Sequence, residues 1–210
     1  SERVRIIDHL EASQARPLNE AVFTYLGKNK DLEGMSLTDV AAEKGSSLAE
    51  TLLDLLIEED GQICYRGAPP ESVKTWQQIS RDCVEFLSRP DYMVGSDAIP
   101  IGSLPHPRAY GCFPRFLGRL RRQFPILTLE GMVQRMTDNP ARRFGITDRG
   151  RIEKGYFGDV VVFDPDHIID NATYDDPTQF PTGIPFVLVN GQVAVDTERC
   201  TGVLAGHAVP

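Results

Sequence analysis

Up to about Asn139, hydrophobic and polar positions mostly follow helical spacing, interrupted by short apolar runs. Two Ser-x-x-acid sequences, Ser36–Asp39 and Ser47–Glu50, have the form of a capping box, in which serine and acid each bind the other's backbone amide. They predict the starts of two helices. Gly45 and Gly61 predict where these helices end, because glycine readily takes the left-handed conformation that closes a helix.

A third helix is predicted after Pro70, which fits a first helical turn because its missing N–H needs no partner there. Its apolar stripe consists of Val73, Trp76, Ile79, Cys83, Phe86 and Leu87. Short apolar runs predict strands at Arg3–Asp8, Gln62–Tyr65 and Tyr92–Asp97. Strands that alternate with helices favour a βα-type architecture with a parallel sheet.

After about residue 150 the pattern changes to β-branched runs, and no further helix is predicted. Gly158–Pro165 predicts one strand. Phe186–Val195 predicts two, joined at Asn190-Gly191, a dipeptide typical of the tightest β-hairpins. The intervening Asp164–Pro185, rich in Pro, Asp and Thr, predicts a long surface loop. We therefore expect a boundary between residues 145 and 150, with a small β element after it.

Composition narrows the classes of partner. The 210 residues include 22 Lys and Arg against 30 Asp and Glu, a net charge of −8. Nucleic-acid binding depends on clustered cations, so nucleic acid is not the expected partner. The densest basic run, Arg115–Arg122, predicts one basic helix face. No stretch approaches the roughly 20 apolar residues of a membrane span, and no signal-peptide pattern is found. We expect a soluble, cytoplasmic chain with no membrane partner.

Cysteine and histidine spacing gives no self-contained zinc site. The residues concerned are Cys64, Cys83, Cys112, Cys200, His9, His106, His167 and His207. They form no CxxC, HxH or HExxH sequence. Four scattered cysteines in a chain this long also make no disulfide framework, which favours a reducing compartment.

Asp97 ends the predicted strand Tyr92–Asp97 and precedes a loop rich in Gly and Pro. In parallel α/β sheets and barrels, the carboxyl ends of the strands carry the site. Asp97 is therefore a candidate general base or metal ligand. The alternative is that it caps the next turn, and spacing alone leaves both interpretations open.

Arg108 lies eleven residues further on, in His106-Pro107-Arg108. A guanidinium fork suits bidentate capture of a substrate carboxylate. The alternative is a surface salt bridge to one of the many acids. His106 is interpreted as a loop histidine held extended by the proline, and Cys112 as a small packed residue.

A dense, ordered set of motifs runs from about residue 91 onward. It comprises Gly95–Asp97, His106–Gly111, Phe113–Gly118, Leu129–Thr137, Asn139–Gly145, Asp148–Pro165, Tyr174–Pro177, Pro181–Ile184 and Val187–Gly191. This set resembles the N-acyl-D-amino-acid deacylases (D-aminoacylases) of the amidohydrolase superfamily. A weaker similarity extends upstream over Leu32–Asp39 and Leu52–Gly61. Two positions depart from the family pattern: Ala98 after the aspartate and Gly158 before Asp159.

The resemblance implies an α/β fold: the C-terminal part of a TIM-like (β/α)8 amidohydrolase barrel over residues 1–147, then strands of a small β-sandwich over 148–210. It implies a zinc-dependent hydrolase that splits N-acyl-D-amino acids into a D-amino acid and a carboxylate. Asp97 matches the catalytic aspartate beside one or two zinc ions, which takes a proton from metal-bound water and delivers it to the leaving amine. Arg108 matches the residue that binds the substrate's α-carboxylate.

The remaining metal ligands of the family come from earlier strands, and here only His9 precedes the Asp97 loop among the histidines. We expect the C-terminal portion of a deacylase, inactive by itself, that self-associates or depends on a missing N-terminal half to cover exposed strand edges. One alternative is a non-catalytic binding module derived from an amidohydrolase. Another is a cyclic-amide hydrolase like the dihydroorotases or hydantoinases, against which the Arg108 motif argues.

Overall fold

A computed structural model of the chain describes residues 2–12, 20–67 and 72–209. They form two compact units. Unit 1 takes in Ser1–Pro70, Ala98–His106 and Tyr174–Pro177, and unit 2 takes in Glu71–Asp97, Pro107–Thr173 and Thr178–Pro210. Each combines helices with one small sheet, so the predicted α/β class is confirmed, whereas the boundary at residues 147 and 148 stays a prediction.

In residues 2–12 and 20–67, unit 1 contains three α-helices and a two-stranded antiparallel sheet. Its elements are α1 (Glu2–Ala12), β1 (Val22–Leu26), a 3₁₀ turn (Lys30–Leu32), α2 (Leu37–Lys44), α3 (Leu48–Glu58) and β2 (Ile63–Arg66). The strands pair from Val22 opposite Arg66 to Leu26 opposite Ile63. Phe23, Leu37 and Leu55, each at most 1% exposed, bring β1, α2 and α3 into one apolar core.

Both capping boxes are confirmed. Ser36 accepts a hydrogen bond from the Asp39 amide at 3.1 Å, and the Asp39 carboxylate accepts one from the Ser36 amide at 3.3 Å. Ser47 and Glu50 repeat the arrangement at the start of α3. Gly45 closes α2 with a φ of +64°, the left-handed stop that its sequence predicts.

The strand predicted at Arg3–Asp8 is wrong, because these residues lie within α1. Their β-branched side chains suit a strand, but a strand needs a neighbour for its backbone groups. A helix satisfies those groups internally. Here α1 buries none of its side chains, and Arg3 binds Asp54 of α3 at 2.5 Å.

Unit 2 carries most of the helices and a four-stranded sheet. Its elements are α4 (Val73–Leu87), α5 (Arg108–Arg115), a π-helical turn (Phe116–Leu120), α6 (Arg121–Gln123), α7 (Leu129–Met136), α8 (Asp138–Arg143), β3 (Val160–Val162), β4 (Phe186–Val189), β5 (Gln192–Asp196) and β6 (Arg199–Cys200). Val84, Met132 and Ile168 are fully buried at the centre of its core. None of the helices in the described ranges is long and apolar enough to cross a membrane.

The predicted third helix exists as α4, but of the apolar stripe assigned to it only Leu87 is buried. Val73 is 73% exposed and Phe86 64% exposed, whereas Ser80, Val84 and Leu87 are buried. The two faces lie side by side on the helix, and the packing of unit 2 covers only the second. Pro70 lies outside the described residues.

The strand predicted at Tyr92–Asp97 is also wrong. The segment belongs to no sheet; Val94 is buried, and its amide donates to the Arg135 carbonyl at 3.0 Å. Every strand pair in the described ranges is antiparallel, so the predicted parallel sheet is not found among them.

The C-terminal hairpin is confirmed. β3, β4, β5 and β6 follow one another across an antiparallel sheet. Between β4 and β5, Asn190 and Gly191 take φ values of +49° and +77°, the two left-handed positions of a type I′ turn. The predicted surface loop Asp164–Pro185 is only partly at the surface, because Ile168 is fully buried within it.

Candidate functional site

Asp97 sits at a bend in the backbone. Its φ of +46° lies in the left-handed region, which non-glycine residues enter at a cost of about 1 kcal/mol and which aspartate tolerates better than most. Its side chain is 88% exposed. The preceding residues Gly95 and Ser96 lie outside any helix or sheet. The carboxylate is thus held at the surface of unit 2, where a ligand can reach it.

Arg108 is brought beside Asp97. It is the first residue of α5, and its Nη2 donates to Asp97 Oδ2 at 3.1 Å. The arginine side chain is 39% exposed. A pair this accessible contributes at most about 1 kcal/mol, because water competes for both charges. A substrate carboxylate could therefore replace Asp97 on the guanidinium.

Ala98–His106, between these two residues in the sequence, belongs to unit 1. There, Glu33 accepts hydrogen bonds from the amide and hydroxyl of Ser103, at 3.1 and 2.5 Å. His106 is exposed, and its Nε2 lies 3.0 Å from the hydroxyl of Tyr174. The structure thus places His106 as a loop histidine that contacts an aromatic ring.

Cys112 occupies the middle of α5 and packs against the core of unit 2, as its sequence predicts. Burial raises the pKa of its thiol, and the charge of Arg108 opposes that rise. A thiol held protonated in this way is a poor nucleophile. Cys112 is therefore a packing residue.

Three arginines of the basic run Arg115–Arg122 share one side of the helix, as predicted, and this side contacts residues 165–172. Arg115 and Arg119 bind Asp170 at 2.9 and 3.0 Å. Arg122 donates to the carbonyl of Ile168 at 3.0 Å. The 165–172 segment thus supplies carbonyls and a buried carboxylate as partners to these arginines, whose side chains stay partly exposed.

Asp170 is a residue that the sequence did not single out. Its side chain is 4% exposed, and both of its arginine partners come from α5 and the turn that follows. The available signal was the apolar pair Ile168-Ile169 just before it, which is unusual in a surface loop. Acids that follow such a pair are candidates for burial.

A zinc ion needs about four ligands, of which three come from the protein in catalytic sites. In residues 2–12, 20–67 and 72–209, no three His, Cys, Asp or Glu side chains lie close enough together to hold a metal ion. Asp97 offers two accessible carboxylate oxygens and could be one ligand. The described residues alone therefore do not fit a zinc site.

Comparison with known proteins gives a consistent set of relatives. The N-acyl-D-glutamate deacylase of Alcaligenes xylosoxydans xylosoxydans is 54% identical over 178 residues, which is 85% of this chain and 34% of that protein. The D-aminoacylase of the same organism is 36% identical over 188 residues, 90% of this chain and 36% of that protein. The chain thus spans about a third of the length of these curated relatives.

A solved structure agrees with them. N-acyl-D-glutamate deacylase from Bordetella bronchiseptica was crystallised with zinc and a phosphonate that mimics the tetrahedral intermediate. It superposes with a TM-score of 0.70 at 33% identity, covering 96% of this chain and 40% of that one. The amidohydrolase family profile matches residues 75–195, which include Asp97 and Arg108. The chain belongs to the amidohydrolase family and is homologous to its D-aminoacylases and N-acyl-D-amino-acid deacylases.

Proposed function

We propose that this chain supplies Asp97 and Arg108 to a zinc-dependent deacylase, which hydrolyses the linear amide of an N-acyl-D-amino acid to the D-amino acid and a carboxylate. The observation that carries the proposal is the 3.1 Å contact between these two side chains inside the matched region. A carboxylate that can move protons and a guanidinium that can bind an anion are the two groups this reaction needs beside the scissile bond.

Arg108 binds the α-carboxylate of the substrate with its planar fork. Asp97 then loses its partner and faces the amide as a free carboxylate. It accepts the proton of the attacking water and returns it to the leaving nitrogen. The substrate's own charge thus converts Asp97 from an ion-pair partner into a base.

One or two zinc ions are the proposed cofactor, supported by the zinc in the solved deacylase. The ligands other than Asp97 would come from polypeptide beyond the described residues. We assign residues 1–147 to the C-terminal part of the barrel and 148–210 to the β-sandwich. The antiparallel sheet from β3 to β6 supports the second assignment.

The side chain of the proposed substrate is that of D-glutamate. Identity to the Alcaligenes N-acyl-D-glutamate deacylase is 54%, against 36% for the D-aminoacylase of the same organism. Rates with N-acetyl-D-glutamate, N-acetyl-D-aspartate and N-acetyl-D-leucine test this choice, and a preference for leucine would contradict it.

The proposed partner is further deacylase polypeptide, since α4 presents an uncovered apolar face. Ile79 and Phe86, seven residues apart on one side of the helix, are 49 and 64% exposed, and Cys83 between them is exposed as well. Charged and amide side chains occupy the remaining surface of the helix, where Gln78 binds Asp82 and Arg81 binds Glu85. We expect the 210-residue chain alone to be inactive until this face is covered, by an N-terminal half or by a second copy.

Light scattering on the purified chain distinguishes these two occupants. A dimer that Phe86→Lys converts to a monomer, while Lys74→Glu does not, identifies a second copy. A monomer that binds the upstream part of the Alcaligenes deacylase through the same face identifies an N-terminal half. If neither of these results is obtained, the α4 proposal is wrong.

The cytoplasmic location that we propose is supported by four free cysteines.

The catalytic proposal is tested in a hybrid enzyme that joins the upstream part of the Alcaligenes N-acyl-D-glutamate deacylase to this chain. We expect Asp97→Asn to abolish turnover and Arg108→Ala to raise the KM for N-acetyl-D-glutamate far more than for a cyclic amide. Arg143→Ala, an exposed arginine of α8, is the matched control. Full activity of the Asp97 variant would favour a non-catalytic binding module. An equal effect of Arg108→Ala on both substrates would favour a cyclic-amide hydrolase.

A further inference from the structure

The backbone of α5 and its π-helical continuation lies directly against residues 165–172. A Cβ added to Gly118 would lie 2.1 Å from the carbonyl oxygen of Ile168, far inside van der Waals contact. A Cβ on Gly111 would lie 3.1 Å from the Cβ of Asp170. Only glycine at position 118 allows so close an approach, and a side chain at position 111 would push Asp170 away by a few tenths of an ångström. The helix and the segment therefore behave as one packed element.

Asp170 sits at the centre of this contact. Its carboxylate is 4% exposed and accepts hydrogen bonds from Arg115 Nη1 at 2.9 Å and Arg119 Nε at 3.0 Å. Arg119 also donates to the Asp170 carbonyl at 3.2 Å. One buried residue thus binds two successive turns of helix, which fixes both the rotation and the axial position of the helix.

Arg108 shares the helix face that Asp170 holds. Residues 108, 111 and 115 follow the i, i+3, i+7 spacing that aligns side chains along one side of a helix. Gly111 faces Asp170, and Arg115 binds it. A rotation or slide of α5 relative to Asp170 would therefore move Arg108 directly.

We propose that Asp170 is a positioning residue for Arg108. Through Arg115 and Arg119 it holds α5 in the orientation that places the Arg108 guanidinium beside Asp97, where the substrate carboxylate binds. This inference rests on the proposed function for the role of Arg108, but the geometry that it describes exists in the chain without substrate. A guanidinium that binds both oxygens of a carboxylate needs accurate placement, and a displacement of about 1 Å would weaken the binding.

The chain contains a matched control for Asp170. Asp138 in α8 is another buried aspartate with two arginine partners, Arg142 and Arg151. Its side chain is 11% exposed, and neither partner belongs to α5. Replacing Asp138 by asparagine removes a similar pair of ionic hydrogen bonds from the same unit. It separates a general loss of stability from a specific effect on α5.

The first test follows the Nε–Hε NMR signal of Arg108 in the 210-residue chain. The signal is assigned as the one that disappears in Arg108→Lys. We expect Asp170→Asn to shift or broaden this signal, Asp170→Glu to restore part of it, and Asp138→Asn to leave it in place. An unchanged signal in Asp170→Asn, or an equal change in both asparagine variants, overturns the inference. If Asp170→Asn does not fold, Arg119→Gln removes one of the two helix contacts and takes its place.

The second test measures kinetics in the hybrid enzyme. We expect Asp170→Asn to raise the KM for N-acetyl-D-glutamate at least fivefold with a smaller change in kcat. Asp138→Asn should lower only the amount of folded enzyme. If Arg108→Ala leaves KM unaltered, the proposed function is wrong, and the NMR result still decides whether Asp170 positions the arginine. If Arg108→Ala raises KM but Asp170→Asn does not, the positioning role is wrong and the proposed function stands.

Discussion

Glu33 should make the stability of unit 1 depend on pH, and a single substitution of Glu33 should remove that dependence. Its side chain is 6% exposed, and it accepts hydrogen bonds from the Leu26 amide at 3.0 Å and from the amide and hydroxyl of Ser103. Burial alone would raise the pKa of this carboxyl. The hydrogen bonds from Ser103 and Leu26, with that from Lys30, outweigh burial and lower the pKa from 4.5 to about 2.

The contribution of Glu33 to the free energy of unfolding follows from the linkage between protonation and folding. A pKa that falls from 4.5 to about 2 corresponds to about 3 kcal/mol, at about 1.4 kcal/mol for each pKa unit. Because the folded-state pKa is the lower one, the stabilisation is complete above pH 4.5 and disappears as the pH falls toward 2. Glu33→Gln keeps the shape but not the charge. It should reduce the free energy of unfolding by about 1 to 3 kcal/mol at pH 7.

The measurement is urea unfolding at pH 7, 4.5 and 2.5, with hydrogen exchange of the Leu26 amide as a local readout. The difference between the wild type and Glu33→Gln should be largest at pH 7 and fall below about 1 kcal/mol at pH 2.5. Glu58→Gln is the control, since Glu58 is about half exposed and lies 3.7 Å from Lys44, a pair whose contribution is below about 1 kcal/mol. A difference that persists unchanged at pH 2.5, or an equal loss in the control, would refute the reasoning.

Two further predictions concern unit 2. Gly118→Ala should reduce the free energy of unfolding by about 2 kcal/mol or more, because its methyl group collides with the backbone of Ile168, whereas Gly206→Ala has open space and should change little. Thermal unfolding of both variants checks this, and equal stability would contradict the close approach. Cys112 should react with iodoacetamide at pH 8 at least tenfold more slowly than exposed Cys83, since burial raises its thiol pKa. Peptide mapping measures both rates, and equal labelling would argue against burial of Cys112.

Features decided by a few neighbouring residues could be predicted from the sequence. The Ser36 and Ser47 capping boxes need only a serine, an acid three residues later and the intervening turn. The Asn190-Gly191 turn likewise depends on two residues that tolerate positive φ. In these places the local hydrogen bonds settle the conformation, and distant packing has little influence.

Features that depend on a distant partner could not be predicted. Both Ile79 and Val84 are apolar residues of α4, and only the rest of unit 2 determines that Val84 is the one covered. Arg3–Asp8 and Tyr92–Asp97 have strand-like composition, but no neighbouring strand pairs with them. A strand-like pattern of side chains forms a strand only when a neighbouring strand is present to pair with its backbone.

The candidate site also combines features that neighbouring residues determine with features that depend on distant contacts. Family resemblance identified Asp97 and Arg108 as residue types in a motif, yet their contact depends on the path of the ten residues between them. The apolar pair Ile168-Ile169 marks the segment of Asp170 for burial. The role of Asp170 could not be predicted, because its partners, Arg115 and Arg119, lie about fifty residues earlier in the chain.

The course of Ala98–His106 limits how this region can change during evolution. Between Asp97 and Arg108, the chain leaves unit 2 and makes fixed contacts within unit 1 before it returns. Gly102, at a φ of +83°, passes so close to Thr24 that a Cβ would lie 2.3 Å from its carbonyl oxygen, and Ser103 is bound by Glu33. Exposed positions such as Ile99 and Ile101 can accept substitutions, but an insertion or deletion would displace these attachment points. Homologues that retain Asp97 and Arg108 should therefore vary in the composition of this segment and keep its length.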